Sequence, residues 1–226
     1  MEQIRFFFDP RCPWCYQTAR LAWRLEELGE ISIDWAFFSL EVVNRPEGSD
    51  PLAIDARSGP VLRTASLLRE RLGREAVGDL YRALGTRIWE SEPPMEVNDL
   101  DGIRASLKEI GADASLLDDA LADRATWEAV VREHEELVDR TGAFGVPTIV
   151  LDGGDGPAIF GPVIYNLPDN EEAVELWRHT TWRSRASRES SGTHRCGRRG
   201  TSRAGRTAPS WRRPRGTTIA AVGTGP

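Results

Sequence analysis

The chain is short of several features that would place it quickly. It holds three cysteines in 226 residues, too few for a small scaffold stapled by disulfides. No stretch approaches the ~18–20 consecutive apolar residues of a membrane span, so no membrane partner is expected. The first residues, Met1-Glu2-Gln3-Ile4-Arg5, lack the basic, apolar and small-residue regions of a signal peptide. Cytoplasmic residence is the resulting expectation. A disulfide there is transient and catalytic rather than structural. No internal repeat is visible. Three histidines, His134, His179 and His194, and the remaining Cys196 are scattered. Zinc needs four ligands, usually paired at short spacing, so no metal site is expected.

Charge is unevenly spread. The net charge is −6. Residues 183–226 hold eleven arginines against the single Glu189, and residues 1–182 hold 18 basic and 34 acidic groups. The body is therefore acidic and the tail basic, rich in Arg, Gly, Ser, Thr and Pro. Such a tail could bind nucleic acid by counterion release. It has no lysine, and Trp211 is its one aromatic past residue 183. Its composition also matches a GC-rich reading frame read out of register. The tail, 183–226, is expected to be disordered or frame-altered, with no nucleic-acid partner and no designed role for Cys196.

Periodicity sets out the body. Gln3 to Phe8 reads as a short buried strand closed by Asp9-Pro10. Cys12 to about Leu28 reads as a helix, with Pro13 in its first turn and Gly29 at its end. Ile31 to Phe38 alternates as a second strand, so this part makes a βαβ unit with a parallel pair. Asn44 to Ser58 is a turn-rich loop. Apolar spacings of three and four then predict helices around 61–72, 77–88, 100–110, 116–121 and 127–138. Val146 to Leu151 and Ala158 to Phe160 read as a hairpin. Asn170 to about Thr180 reads as a final helix.

The chemistry concentrates at Cys12-Pro13-Trp14-Cys15. Two thiols three positions apart at a helix start share a face and can close a disulfide within one turn. Free N–H groups and the helix dipole at that place favour a thiolate, so a lowered Cys12 pKa is expected. Cys12 is read as the attacking sulfur and Cys15, one turn inside, as the resolving thiol. Arg11 beside it could add favourable charge, with Asp9 partly opposing. Trp14 is read either as an exposed apolar surface beside the sulfur or as packed on the helical segment. His134 is read as a surface or interdomain residue rather than a catalytic base. Glu133-His134-Glu135-Glu136 is read as a solvated helix face. Trp23, Trp35, Trp127, Trp177 and Trp182 are read as core and interface packing.

Cys-Pro-Trp-Cys at the first strand–helix junction, with Gly145-Val146-Pro147-Thr148 far downstream at a hairpin start, resembles the DsbA-like branch of the thioredoxin superfamily. Asp9-Pro10-Arg11 before the motif, Leu84-Gly85-Thr86-Arg87-Ile88, Phe160-Gly161-Pro162-Val163 and Glu171-Glu172-Ala173 with Leu176-Trp177 are similar to its cytoplasmic group of actinobacterial mycothiol-dependent nitroreductases. That group usually has Asn and His where this chain has Thr86 and Trp89. The resemblance implies an α/β fold: a thioredoxin-like domain from 1–43 and 143–182, interrupted by a helical insertion domain at 44–142. It implies a cis Val146-Pro147 bond facing the dithiol, so that Pro13, Trp14, Val146 and Pro147 would bind a substrate or a thiol. It implies no tightly bound cofactor, and mycothiol or glutathione as co-substrate. Expected partners are a protein disulfide or a small electrophile and a cellular thiol reductant. Oligomeric state is left open. The leading expectation is a thiol–disulfide oxidoreductase. A mycothiol-dependent reductase or transferase acting on nitro compounds, and a redox-sensing binding or chaperone-like module, stand as alternatives.

Overall fold

A computed structural model describes residues 1–192 of the chain. They run as β1 (Glu2–Phe8), α1 (Pro13–Glu27), β2 (Ile31–Phe37), α2 (Leu40–Val43), α3 (Gly59–Leu72), α4 (Arg74–Gly85), α5 (Leu100–Glu109), α6 (Leu116–Ala122), α7 (Arg124–Thr141), β3 (Thr148–Val150), β4 (Ala158–Phe160) and α8 (Asn170–Gly192). The order is β-α-β, a helical segment, then β-β-α. This is the mixed α/β architecture expected.

The four strands form one sheet in the order β2-β1-β3-β4. β1 and β2 are parallel, with Phe6 opposite Trp35 and Phe8 opposite Phe37. A parallel pair needs a crossover connection, and α1 supplies it. β3 runs antiparallel to β1, with Phe7 opposite Thr148, and the β3–β4 hairpin closes the sheet. β1 is apolar at consecutive positions because both its faces are covered: Phe6, Phe7 and Phe8 are all buried. Each such ring removed from water stabilises the fold by about 1.5–3 kcal/mol.

One aromatic cluster joins sheet and helices. Trp35 of β2 lies between Phe6 at 5.0 Å, Trp23 of α1 at 5.2 Å and Tyr81 of α4 at 5.6 Å between ring centroids. α4 can approach this closely because Gly78 and Gly85 carry no side chain. A Cβ at Gly78 would strike the Trp35 indole, and one at Gly85 the Tyr16 ring.

Three sequence expectations are corrected here. Glu133 and His134 are buried, at 5% and 1% exposure, not on a solvated face. Glu133 bonds Arg5 of β1 and both terminal nitrogens of Arg69 of α3, and a buried carboxylate persists where such cations meet it. Trp182 is 66% exposed, whereas Trp23, Trp35, Trp127 and Trp177 are buried as expected. The last helix does not stop near Thr180. It runs to Gly192, and Arg185 ties the added turns to the body by pairing with Glu2 and Asp152. The rest of the expected tail, with Cys196, lies outside the described residues.

Candidate functional site

The site begins where β1 ends. Asp9 closes the strand, and its backbone carbonyl accepts from the Cys12 N–H at 3.1 Å. Cys12 has extended backbone angles, φ −93° and ψ 110°, and forms the N-cap of α1, with Pro13 following in the first turn. Its sulfur accepts from the Cys15 N–H at 3.3 Å. This is the role an N-cap oxygen usually plays. Cys12 is half-buried, Cys15 has no exposure, and the Cys15 thiol is 3.9 Å from the Phe7 carbonyl oxygen.

A second wall comes from the distant hairpin. The Val146-Pro147 bond is cis, and the Val146 carbonyl oxygen is 3.6 Å from the Cys12 sulfur. Val146 and Pro147 are buried. The Pro147 carbonyl accepts from Gly161 N–H at 2.9 Å. The segment after β4 then folds back on α1: Thr18 Oγ1 donates to the Pro162 carbonyl at 2.7 Å and Gln17 Nε2 to the Tyr165 carbonyl at 2.8 Å. These bonds bring the Tyr165 ring within 6.3 Å of Trp14. Trp14 itself is 46% exposed, with Tyr165 as its ring neighbour. The bonds Glu92-Pro93 and Gly161-Pro162 are also cis, which the sequence did not announce.

The electrostatics depart from expectation. Burial pushes the Cys12 thiol above its ordinary value. The N–H groups of Cys15 and Trp14 pull it back, and Asp9 adds to the rise. The helix terminus acts in the expected direction, but desolvation outweighs it. Burial also pushes Cys15 well up, with Cys12 adding to the rise; the Tyr81 hydroxyl and the Asp9 backbone oppose it. Asp9 is fully buried. Its Oδ1 accepts from Arg11 N–H at 2.9 Å and its Oδ2 from Leu40 N–H at 2.7 Å. Burial still raises its pKa to about 6. The Arg11 guanidinium bonds to Glu41, so its charge is already paired. Glu41 also accepts from the Arg57 N–H at 3.2 Å.

Two cavities flank the dithiol, with Trp89 in the wall of both. One, of about 230 Å³, is lined by Pro13, Trp14, Gln17, Trp89 and Tyr165. The other, of about 310 Å³, is lined by Arg11, Arg57, Ile88, Trp89, Met95 and Val97. Trp89 sits in a π-helical turn, Thr86–Glu90, that continues α4. Such turns occur often at functional sites. The Tyr16 hydroxyl fixes that turn by donating to Glu90 at 2.8 Å. A roomier cavity of about 490 Å³ lies at Arg5, Glu133 and Arg140, and neither cysteine lines any of the three. The smaller pair adjoins the dithiol, because Arg11 lines one and Pro13 and Trp14 line the other. Among the described residues no group of three or more His, Cys, Asp and Glu is arranged to hold a metal, and no helix is long and apolar enough to cross a membrane.

The structure thus brings together Cys12, Cys15, Pro13, Trp14, Val146 and Pro147, and turns Arg11 towards Glu41. The sequence had noted Trp89 only as a departure from a family pattern. It missed Tyr165, whose one signal was an aromatic in the loop after Gly161-Pro162. Tyr81 carried no signal, being one apolar position of a helix among many.

This arrangement is a DsbA-like thioredoxin fold. Two solved structures share it. One is the probable DsbA oxidoreductase SCO1869 from Streptomyces coelicolor (TM-score 0.56, 19% identity, 88% of this chain and 93% of that one). The other is the cytosolic disulfide reductase DsbM from Pseudomonas aeruginosa (TM-score 0.54, 17% identity, 80% and 98%). At these identities the likeness is one of fold. The family described as mycothiol-dependent nitroreductase Rv2466c matches residues 11–188, and the chain belongs to that family. The uncharacterized protein Rv2286c of Mycobacterium tuberculosis (strain ATCC 25618 / H37Rv) is 35% identical over 188 residues, 80% of this chain and 76% of its own length. The fold is thiol–disulfide-oxidoreductase-like and the family is one of enzymes.

Proposed function

We propose that this protein is a cytoplasmic dithiol oxidoreductase that draws its electrons from a low-molecular-weight thiol, mycothiol by family. One observation carries the reading. The Cys12 sulfur is half-buried between the Cys15 N–H and the Val146 carbonyl, while Cys15 is wholly enclosed behind it. One sulfur can meet a substrate and the other can meet only the first. In this reading the domains are 1–43 with 143–182, interrupted by a helical insertion at 44–142 that covers the site.

The cycle follows from that asymmetry. The Cys12 thiolate attacks a substrate disulfide, forms a Cys12–substrate bond and expels one thiolate. Cys15, having lost its proton to solvent, attacks the Cys12 sulfur and releases the second. The substrate gains two electrons and the enzyme holds a Cys12–Cys15 disulfide. Two thiol molecules restore it in sequence, leaving as their own disulfide. Val146 beside Cys12 offers backbone groups to whatever is attached there, and Pro13 and Trp14 form the floor on the other side.

A second reading is favoured by the cavity at Trp14, Trp89 and Tyr165. Flat aromatic walls suit a flat electrophile. There the same dithiol would deliver two electrons and two protons to a nitro group, giving a nitroso product and water. The test is turnover with mycothiol, and separately with glutathione, on a protein disulfide and on a nitroaromatic compound. Turnover on either that Cys12→Ser abolishes supports the reading, and none with any thiol defeats it.

A further inference from the structure

Tyr81 is 1% exposed, among the most deeply enclosed large side chains of the chain. Its ring is held on several sides. Phe8 stacks on it at 4.2 Å and 23°, Tyr16 meets it edge-on at 6.0 Å, and Trp23 lies tilted at 5.6 Å. Phe8 ends β1 just before the site, and Tyr16 directly follows Cys15. The glycines that let α4 press inward, Gly78 and Gly85, stand three residues before and four after Tyr81. They therefore share its helix face. The close approach of α4 is centred on this one ring.

The hydroxyl at its end is buried and has no hydrogen-bond partner. A buried donor left so costs about 1–3 kcal/mol, and phenylalanine would fill the same space without that cost. Two of the rings that enclose Tyr81, Phe8 and Tyr16, flank the dithiol along the chain, and the titrating group its hydroxyl bears on most is Cys15. Each acts on the other's titration, and the hydroxyl favours the charged sulfur. Asp9 and Cys12 act on it more weakly.

We propose that Tyr81 is a positioning residue of the dithiol, its hydroxyl held in reserve to donate a hydrogen bond to the Cys15 sulfur when that sulfur is a thiolate. The inference rests on the dithiol reading above and goes beyond it. The thiolate arises twice in the cycle. In resolution, Cys15 attacks the Cys12 sulfur, a Cys12–Cys15 bond forms, and the bond from Cys12 to the substrate sulfur breaks. In re-reduction, an external thiolate attacks the Cys12 sulfur and Cys15 leaves with the electron pair. Tyr81 keeps its proton in both steps; the proton that Cys15 loses or regains is exchanged with water.

Tyr81→Phe isolates the hydroxyl. The full chain is converted to a mixed disulfide at Cys12 with a chromogenic aromatic thiol, and colour release by Cys15 is followed against pH. The variant is expected to release the thiol roughly tenfold more slowly, the worth of a weak hydrogen bond to a charged group, with its pH profile moved to the alkaline side. Cys12 alkylation in a Cys15→Ser background should not change, nor should the thermal midpoint fall. A merely structural role would lower the midpoint and leave the profile in place. Wild-type release matched by the variant at every pH overturns the inference alone. No release from the wild type overturns the dithiol reading and the inference with it.

Discussion

The sulfur of Cys12 stands 3.6 Å from the carbonyl oxygen of Val146, a residue 134 positions away. This contact joins the start of α1 to the start of the β3–β4 hairpin and makes two separate stretches of chain one site. In the proposed cycle a sulfur attached to Cys12 lies along the backbone of Val146, with Cys15 enclosed behind it.

That asymmetry gives the cysteines unequal roles. Cys12→Ser is expected to abolish turnover. Cys15→Ser is expected to keep the first step and stall after it, so that a covalent adduct on Cys12 accumulates. Mass spectrometry of each variant after incubation with a disulfide substrate reads this directly. Equal adduct on both single variants would contradict the assignment.

The aromatic walls bear on substrate choice. Trp14→Ala and Trp89→Ala each remove a ring lining the cavity beside Cys12. An aromatic contact is worth about 0.5–1.5 kcal/mol beyond its area. A rise in KM of roughly three- to tenfold for a nitroaromatic substrate is expected. Turnover of a small aliphatic disulfide should hold steady. Steady-state kinetics on both substrates separates the two.

Burial raises the Cys12 thiol first, and the Asp9 charge adds to the rise. In Asp9→Asn the negative charge is gone, so more of Cys12 is thiolate near neutral pH. The rate of Cys12 alkylation is expected to rise about twofold or more there, and its pH profile to move to the acid side. A profile left in place would show that Asp9 does not act on the sulfur.

The same residue and His134 oppose each other in stability. Asp9 has a folded pKa of about 6, above its ordinary 3.8. The folded state holds its proton more tightly, so stability falls as pH rises between those values. His134 is buried, and its Nδ1 accepts from the Ser39 N–H at 3.3 Å. Burial first, and Arg45 second, lower its pKa from 6.5 to about 4. The folded state resists its protonation, so stability falls as pH drops through that range. Each effect is worth about 3 kcal/mol at full extent. Chemical denaturation at pH 4, 5, 6 and 7 should therefore show little slope in the wild type. His134→Asn should lose stability as pH rises, and Asp9→Asn should gain it.

The sequence carried much of this because the features concerned are local. The helix start at Cys12-Pro13, the apolar run Phe6-Phe7-Phe8 and the Gly-rich hairpin turn declare themselves within a few residues. What escaped depends on partners far along the chain. Glu133 and His134 sit in a string of charges that reads as solvated, and only Arg5, Arg69 and Ser39 make burial there acceptable. The direction of the Cys12 shift escaped for the same reason. The helix-start effect is written in the motif, whereas the desolvation that outweighs it comes from the surrounding fold. Trp182 reads as a core tryptophan by type, but it lies on the exposed side of α8.

The central claim is that Cys12 and Cys15 act as one redox couple served by a small thiol. The reduced protein should be equilibrated across a series of mycothiol to mycothiol-disulfide ratios, and the Cys12–Cys15 peptide quantified by mass spectrometry after acid quench. The account predicts a single two-electron transition to an internal disulfide, with Cys12→Ser and Cys15→Ser each losing it. Two thiols that stay reduced and unmodified across the whole series would contradict it.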